Sequence, residues 1–329
     1  MFVCPNIYLT RQLPQPVMQK LQETGFDYEV YAEDRVIPQD VLLQQVQERD
    51  GLLCILTDAI DKEVLDRAPS LKVIANYAVG YNNIDVQEAT KRGIAVTNTP
   101  GVLTDATADL AWSLLFATAR KVVESDRYLR EGQFQGWGPT HFLGQEVTGK
   151  TLGVVGLGRI GKAFAARAEG FQMPILYYSR RKDEAFETSY GPGARQAKLD
   201  ELLRESDIVS LHLPLTEETH HLLGENELRL MKTSAIFINT ARGPIVDESA
   251  LVRALKENWI WGAGLDVYEE EPKVHPALLD LPNTTLLPHI GSATTETRTK
   301  MGYMAIENLE AFFRGDKPKN LVNPKCWTP

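Results

Sequence analysis

Charged and titratable side chains follow three apolar, β-branched runs in the C-terminal half of the chain. These runs are predicted strands: Ala235–Asn239, Ala263–Asp266 and Thr285–Leu287. The side chains that follow them are Arg242, the acidic run Glu269–Glu271 and His289. Because ligands bind beyond the carboxyl ends of the strands in open α/β sheets, we expect these residues to share one site.

A cation, a carboxylate and a histidine together match the needs of reducing a small 2-oxo acid. Arginine before glycine at a strand end can bind a carboxylate through two parallel hydrogen bonds. Histidine titrates near neutrality and can protonate a carbonyl oxygen, and a neighbouring carboxylate stabilises its charged form. We therefore predict that Arg242 binds the substrate carboxylate and His289 donates the proton, supported by one acid of Glu269–Glu271. Spacing alone leaves an ordinary loop histidine at position 289 as an alternative.

The other histidines fit this role less well. His212 precedes a strand-end proline, which leaves open whether it lines a cofactor cleft or packs in the core. His220 and His221 are adjacent, which suits neither an i,i+4 metal pair nor a single catalytic position. His141 and His275 lie in polar loops, where we expect contact with solvent.

A glycine-rich turn between a strand and a helix indicates dinucleotide binding. The apolar strand Leu152–Val155 leads into this turn, and a helix at Lys162–Glu169 and a strand at Ile175–Tyr178 follow. The turn consists of Gly156, Leu157, Gly158, Arg159, Ile160 and Gly161. Its glycines permit a tight turn, close approach to a pyrophosphate and close packing of helix on strand, and the free amides of the helix start attract phosphate. A plain α/β turn without a nucleotide is the alternative.

The segment after the strand Ile175–Tyr178 bears on the choice of nicotinamide cofactor. It contains Ser179, Arg180, Arg181 and Lys182. A site for NAD usually carries an acidic residue here for the ribose hydroxyls, whereas arginine pairs with a 2′-phosphate. We predict that NADP(H) is preferred and that NAD(H) is possible. A solvated basic loop, or Asp183 reaching the ribose, remains an alternative.

Strand-like and helical segments alternate along the whole chain, which predicts an α/β fold of parallel sheets flanked by helices. Joints rich in proline and glycine, at residues 98–101 and 288–291, separate two series of strands. After the second joint, Thr295–Phe313 has the spacing of a helix with one buried face, which must pack against an earlier element. We therefore predict a discontinuous substrate-binding domain, residues 1–98 plus 291–329, and an inserted NAD(P)-binding domain, residues 99–290.

Composition restricts the classes of protein to which the chain can belong. No apolar run reaches the length of about 18–20 residues that a membrane helix needs, and the N-terminus lacks signal-peptide features. Three cysteines without a CxxC pair argue against a disulfide framework or a metal site and for a reducing cytoplasm. The net charge of −9 argues against non-specific binding to nucleic acid.

Over essentially its whole length the sequence resembles the D-isomer-specific 2-hydroxyacid dehydrogenase family, and most of all its glyoxylate/hydroxypyruvate reductases. The segments that carry the resemblance are the glycine motif, Asn76–Asp85, Asn239–Gly243, Gly264–Pro272 and Pro288–Ser292. The resemblance implies a flavodoxin-like substrate domain with an inserted Rossmann domain. It also implies reduction of glyoxylate or hydroxypyruvate, or both, to glycolate or D-glycerate by hydride transfer, with histidine as proton donor.

The resemblance implies roles for single residues as well. Arg242 would bind the substrate carboxylate and carbonyl, and Glu271 would support His289. The backbone amides of Val79 and Gly80 would help to hold the substrate carboxylate, although an ordinary turn is the alternative there.

On the cofactor side, Asp266 would bind the nicotinamide carboxamide, although it could instead cap the next turn. Further contacts with the cofactor are expected from Thr240, Ala241 and Gly291. The resemblance also implies a homodimer whose contact includes a long helical stretch at Leu103–Arg130.

Other functions of the same family stay open. These are reductases of bulkier 2-keto acids and the D-lactate and phosphoglycerate types. A phosphorylated substrate would call for extra basic residues, but the segment after Gly51–Leu56 contains Asp58 and Asp61 instead. A nucleotide-gated corepressor or scaffold is the non-enzymatic alternative.

Overall fold

The computed structural model describes residues 4–327, which form two compact units. One unit contains residues up to Leu103 and from Ser292 onward, and the other is Thr104–Gly291. The second unit therefore interrupts the first along the chain. These bounds lie close to the joints that the sequence predicts.

The first unit is built on a five-stranded parallel sheet. Its strands are β1 (Asn6–Leu9), β2 (Asp27–Val30), β3 (Gly51–Cys54), β4 (Val73–Asn76) and β5 (Ala95–Thr97). The helices between them are α1 (Gln15–Glu23), α2 (Gln39–Gln45), α3 (Lys62–Asp66) and α4 (Val86–Lys91). The strand order β2-β1-β3-β4-β5 is that of flavodoxin-like folds. All residues of β3 and β4 are buried, as expected for parallel strands covered on both faces.

The second unit is built on a seven-stranded sheet in which all neighbouring strands are parallel. Its strands are β6 (Leu152–Val155), β7 (Ile175–Tyr178), β8 (Ala194–Gln196), β9 (Ile208–Leu211), β10 (Ile236–Asn239), β11 (Gly262–Leu265) and β12 (Thr284–Leu286). The order β12-β11-β10-β9-β6-β7-β8 reverses direction between β6 and β9. Such a switch point leaves a crevice at the carboxyl ends of the two strands, which is where Rossmann folds bind dinucleotides.

Helices cover both faces of this sheet. They are α5 (Thr104–Ala119), α6 (Val122–Arg130), α7 (Arg159–Arg167), α8 (Glu184–Ser189), α9 (Leu199–Glu205), α10 (Glu225–Leu230), α11 (Glu248–Lys256) and α12 (Pro276–Leu279). The side chains of α5 and α7 form one apolar core with the sheet, and those of α9, α10 and α11 form another. The indole nitrogen of Trp112 in α5 donates a hydrogen bond to the Phe164 carbonyl of α7 at 3.0 Å.

The predicted helical stretch at Leu103–Arg130 is two helices rather than one. It breaks at Lys121, whose backbone is left-handed with a φ of 51°. Within residues 4–327, none of the α6 side chains is buried.

The last long helix, α13 (Thr295–Phe313), belongs to the core of the first unit. Its buried Met301, Ala305 and Leu309 share an apolar cluster with Val17 and Leu21 of α1. Truncation of a buried leucine such as Leu309 to alanine costs about 2–5 kcal/mol of stability. Within residues 4–327, no helix is long and apolar enough to span a membrane.

Candidate active site

The turn after β10 presents Arg242. The Asn239 side chain closes this turn, since its Oδ1 accepts from the Ala241 amide at 3.0 Å and its Nδ2 donates to the Arg242 carbonyl at 3.0 Å. The Arg242 guanidinium is half-buried and donates from Nη1 to the Ala241 carbonyl at 2.7 Å. Burial lowers the pKa of Arg242 below its usual value, whereas the negative charge of Glu271 raises it. A cation thus lies within electrostatic reach of Glu271.

Gly243 lets the Arg242 turn contact the loop that follows β11. A Cβ atom at Gly243 would lie 1.9 Å from both the carbonyl carbon and the carbonyl oxygen of Tyr268. Any side chain here would therefore separate the two backbones. The arginine–glycine pair at the strand end thus serves close packing as well as charge.

His289 and Glu271 form a direct pair. The Nδ1 atom of His289 lies 2.7 Å from Oε2 of Glu271, and each side chain is 22% exposed. The other carboxylate oxygen of Glu271 accepts from the Tyr268 amide at 3.0 Å. Within residues 4–327, Nε2 of His289 has no hydrogen-bond partner. The imidazole is thus oriented by a carboxylate on one nitrogen and left accessible on the other.

Asp266 anchors the segment that carries His289. Its buried carboxylate accepts from the amides of Ile290 at 2.7 Å and Gly291 at 2.8 Å. Burial raises the pKa of Asp266, although these bonds and the nearby His289 lower it. His289 has a φ of 55°, a conformation that a non-glycine residue adopts only when its surroundings hold it. The structure thus shows Asp266 capping the turn, while its role toward the nicotinamide remains a prediction.

The first acid of the Glu269–Glu271 run has a different histidine partner. Oε1 of Glu269 lies 2.6 Å from Nε2 of His221, and its other oxygen accepts from the Glu248 amide at 3.0 Å. Glu248 in turn accepts from the Glu269 amide at 3.0 Å and from the His275 amide at 3.2 Å. Sequence reasoning did not single out Glu248 or the His221–Glu269 pair, since nothing in their local spacing signals a contact between distant loops.

A groove of about 890 Å³ lies at the switch point of the same sheet. Its lining includes Gly156, Leu157, Gly158, Ser179, Arg180, Arg181, His212 and Leu222. A Cβ atom at Gly161 would lie 2.0 Å from the Gly156 carbonyl oxygen, so the turn and the start of α7 pack backbone against backbone. A Cβ atom at Gly158 would meet no atom within 4 Å, which leaves the backbone there accessible to a ligand. Arg159 and Ile160 open α7. The first amides of a helix have no intrahelical partners and can therefore bind an anion.

The side chains after β7 divide into paired and unpaired groups. Arg180 and Arg181 are exposed, and neither has an ion-pair partner in the part of the chain that the structure describes. Lys182 pairs with Glu187 at 3.1 Å. Asp183 caps α8 by accepting from the Phe186 amide at 3.0 Å and pairs with Lys162 of α7. The carboxylate that the sequence left as a possible ribose ligand is therefore already engaged.

Two polar side chains at the strand ends add to the fit with a dinucleotide. The Oγ1 atom of Thr240 is buried and has no hydrogen-bond partner among residues 4–327. The ring of His212 lines the groove, packs on Phe164 and lies 2.9 Å from the Ser210 hydroxyl. Burial lowers the pKa of His212 to about 3, so its ring is neutral at physiological pH. His212 thus combines the packing and cleft-lining roles that the sequence left open.

Val79 and Gly80 lie in the turn after β4 of the first unit. The carbonyl of Val79 accepts from the Asn98 side chain at 2.7 Å, and that of Gly80 accepts from the Asn76 side chain at 2.8 Å. Neither backbone amide donates a hydrogen bond within residues 4–327. The turn is therefore held through its carbonyls and leaves two donors available, as an anion-binding turn requires.

The two histidines expected in polar loops, His141 and His275, have different environments. His141 is exposed, as the sequence suggested. His275 is not simply solvated, because its Nδ1 accepts from the Ala277 amide at 3.2 Å and so caps α12.

Comparison with known proteins gives consistent matches. The family model of the D-isomer specific 2-hydroxyacid dehydrogenase, NAD binding domain, matches residues 112–291. Glyoxylate reductase of Thermococcus litoralis is 55% identical and covers 98% of both chains. Glyoxylate reductase of Pyrococcus horikoshii is 54% identical, over 97% of this chain and 96% of the relative.

The similarity to solved structures extends over nearly the whole chain. The crystal structure of NADPH-dependent glyoxylate/hydroxypyruvate reductase from Sinorhizobium meliloti, in complex with NADP and malonate, superposes with a TM-score of 0.86. It is 33% identical and covers 99% of each chain. Together with the strand-end chemistry and the dinucleotide groove, these matches show that the chain belongs to the D-isomer-specific 2-hydroxyacid dehydrogenase family of nicotinamide-dependent oxidoreductases.

Proposed function

We propose that this enzyme uses NADPH to reduce glyoxylate and hydroxypyruvate to glycolate and D-glycerate. The observation that carries the proposal is the 2.7 Å contact between His289 and Glu271, at the same sheet edge as the Arg242 cation. These three groups supply the charge and the proton that reduction of a 2-oxo acid requires. The names of the relatives from Thermococcus litoralis and Sinorhizobium meliloti support the choice of substrates.

In the proposed reaction, Arg242 binds the carboxylate and the carbonyl oxygen of the substrate. When bound, the nicotinamide cofactor would supply the hydride for the carbonyl carbon. Nε2 of protonated His289 gives its proton to the carbonyl oxygen, which completes the hydroxyl group of the product. Glu271 stabilises the imidazolium before the transfer and fixes its orientation through Nδ1.

The proposed preference for NADPH rests on the charged side chains of the loop after β7. Two arginines there are exposed and unpaired among the described residues, and both line the groove. Arginine pairs with phosphate through two parallel hydrogen bonds, which a ribose hydroxyl cannot match. The carboxylate of the same loop, Asp183, is engaged by Lys162 and the Phe186 amide.

Steady-state reduction of a panel of 2-oxo acids with each cofactor tests this function. The panel is glyoxylate, hydroxypyruvate, pyruvate, 3-phosphohydroxypyruvate and one bulkier 2-keto acid. We expect the highest kcat/KM for glyoxylate or hydroxypyruvate with NADPH. A higher kcat/KM for another acid would contradict the proposed choice of substrate. NADPH binding without oxidation of NADPH by any acid would favour the scaffold alternative.

We also propose a homodimer. Apolar side chains remain strongly exposed on α6 and in the segment that follows it, namely Val122, Leu129, Phe134, Trp137 and Leu143. Several large apolar side chains exposed in one stretch of the chain are typical of a protein–protein contact. Light scattering should give a dimer mass for the parent and a monomer mass for Leu129→Glu with Phe134→Glu. A parent that stays monomeric at micromolar concentration would overturn the proposal.

The cytoplasmic location is proposed on the cysteines. Cys4, Cys54 and Cys326 are all free thiols in the structure. Free thiols are typical of proteins in reducing compartments. Cell fractionation with a cytoplasmic marker protein tests the proposal, and recovery outside the cytoplasmic fraction would contradict it.

A further inference from the structure

Lys162 lies in the first turn of α7 and reaches across to the loop after β7. Its Nζ pairs with Oδ2 of Asp183, while Oδ1 of Asp183 accepts from the Phe186 amide at 3.0 Å. The Asp183 amide donates to the Tyr177 hydroxyl at 2.9 Å. Asp183 is therefore held at its backbone and at both carboxylate oxygens.

The position of this carboxylate matters for charge. Asp183 lines the groove beside Arg180 and Arg181 and is the one acid that the β7 loop contributes to the groove's described lining. A free carboxylate at this place would repel a 2′-phosphate and would accept hydrogen bonds from ribose hydroxyls, which is how NAD-selective sites work. In this chain, two arginines that favour NADPH therefore lie in the same loop as a carboxylate that would favour NADH.

We propose that Lys162 is a specificity-determining residue, which selects for NADPH by neutralising Asp183 and holding it against the start of α8. This inference rests on the NADPH preference proposed above. The Lys162 side chain is 47% exposed and that of Asp183 is 26% exposed, so the pair lies at the edge of the groove, where a ligand can sense its net charge.

A direct contact of Lys162 with the phosphate is the competing explanation. The two explanations differ in one respect: in ours, the effect of Lys162 on selectivity requires the charge of Asp183. A double-mutant cycle measures this dependence.

The experiment is fluorescence titration of the full-length protein with NADPH and with NADH, comparing parent, Lys162→Met, Asp183→Asn and the double variant. Methionine is a good helix former, and asparagine retains the cap of α8. We expect Lys162→Met to lower the ratio of NADPH to NADH affinity about tenfold, the size expected for a partly screened pair of charges. Asp183→Asn should keep or raise the ratio, and Lys162→Met should then change it less than about twofold.

A charge-matched control is Lys232→Met, since Lys232 pairs with Asp207 at 2.8 Å before β10, at the opposite end of the strands. The ratio of NADPH to NADH affinity in Lys232→Met should match that of the parent. An equal loss from Lys162→Met in the Asp183→Asn background would overturn the inference in favour of direct contact, and so would an unchanged ratio in Lys162→Met. If the parent binds both cofactors equally while Lys162→Met still shifts the ratio toward NADH, the inference stands and the proposed NADPH preference fails.

Discussion

The loops after β10, β11 and β12 and the loop after β7 lie at the same edge of one sheet, but their charged groups are held in different ways. In the loops after β10, β11 and β12, which form the first side of this comparison, Glu271 fixes His289 and Asp266 fixes the segment that carries it. Asn239 fixes the Arg242 turn. In the loop after β7, which forms the second side, Arg180 and Arg181 are exposed and have no ion-pair partner among the described residues.

This difference separates two ways of building a binding site. Groups that act in the transition state must be in place beforehand, because their reorientation would add to the barrier. Groups that recognise a phosphate can stay solvated and acquire their partner from the ligand. Substitutions on the first side should therefore act on the rate, and substitutions on the second side on cofactor affinity.

The largest effect is expected at His289. His289→Ala removes the proton donor, so the rate of reduction should fall by roughly 10²–10⁴ while NADPH still binds. Stopped-flow reduction and NADPH titration measure the two quantities. His221→Ala is the matched control, because His221 also pairs with a glutamate, at 2.6 Å, yet belongs to the loop after β9. An equal loss in both variants would remove the special role of His289.

A smaller effect, on the other side of the comparison, is expected at Arg180. Arg180→Ala should weaken NADPH binding about tenfold to a hundredfold, the loss of a charged hydrogen bond to a phosphate of roughly 1.5–3 kcal/mol. NADH binding should change little, since NADH lacks the 2′-phosphate, and it serves as the internal control. Equal losses for both cofactors would show that Arg180 does not read the phosphate. A large fall in kcat at saturating NADPH would show that Arg180 acts on the reaction rate and not only on cofactor affinity.

Much of this arrangement could be predicted from the sequence, because local signals carry it. The strand β6, the glycine turn and α7 follow in the order that dinucleotide binding requires, and the strand-end positions of Arg242 and His289 are read from apolar runs. The end of α13 at Phe313 was also predictable, since Gly315 and Pro318 follow it.

Contacts between distant segments could not be predicted in this way. Residue chemistry alone left all of Glu269–Glu271 as partners of His289, and only the fold shows that Glu269 contacts His221. The edge strand β8 has no local signal, because Ala194–Gln196 is short and carries no apolar alternation. The break at Lys121 was missed because no glycine or proline marks it.

The proposed proton transfer depends on the pairing of His289 with Glu271, and the pH profile of reductive kcat/KM measures the effect of this pairing. Glu271→Gln keeps the size and a hydrogen-bonding group but removes the negative charge that stabilises the imidazolium. Reduction needs protonated His289, so activity is present at low pH and is lost as the pH rises. Glu270→Gln, at the exposed neighbouring acid, is the matched control.

We expect the alkaline limb of the Glu271→Gln profile to begin at a lower pH than in the parent, because the imidazolium loses a neighbouring opposite charge. The Glu270→Gln profile should overlay that of the parent. If the alkaline limb stays in place in Glu271→Gln, or moves to higher pH, Glu271 does not stabilise the protonated form of His289.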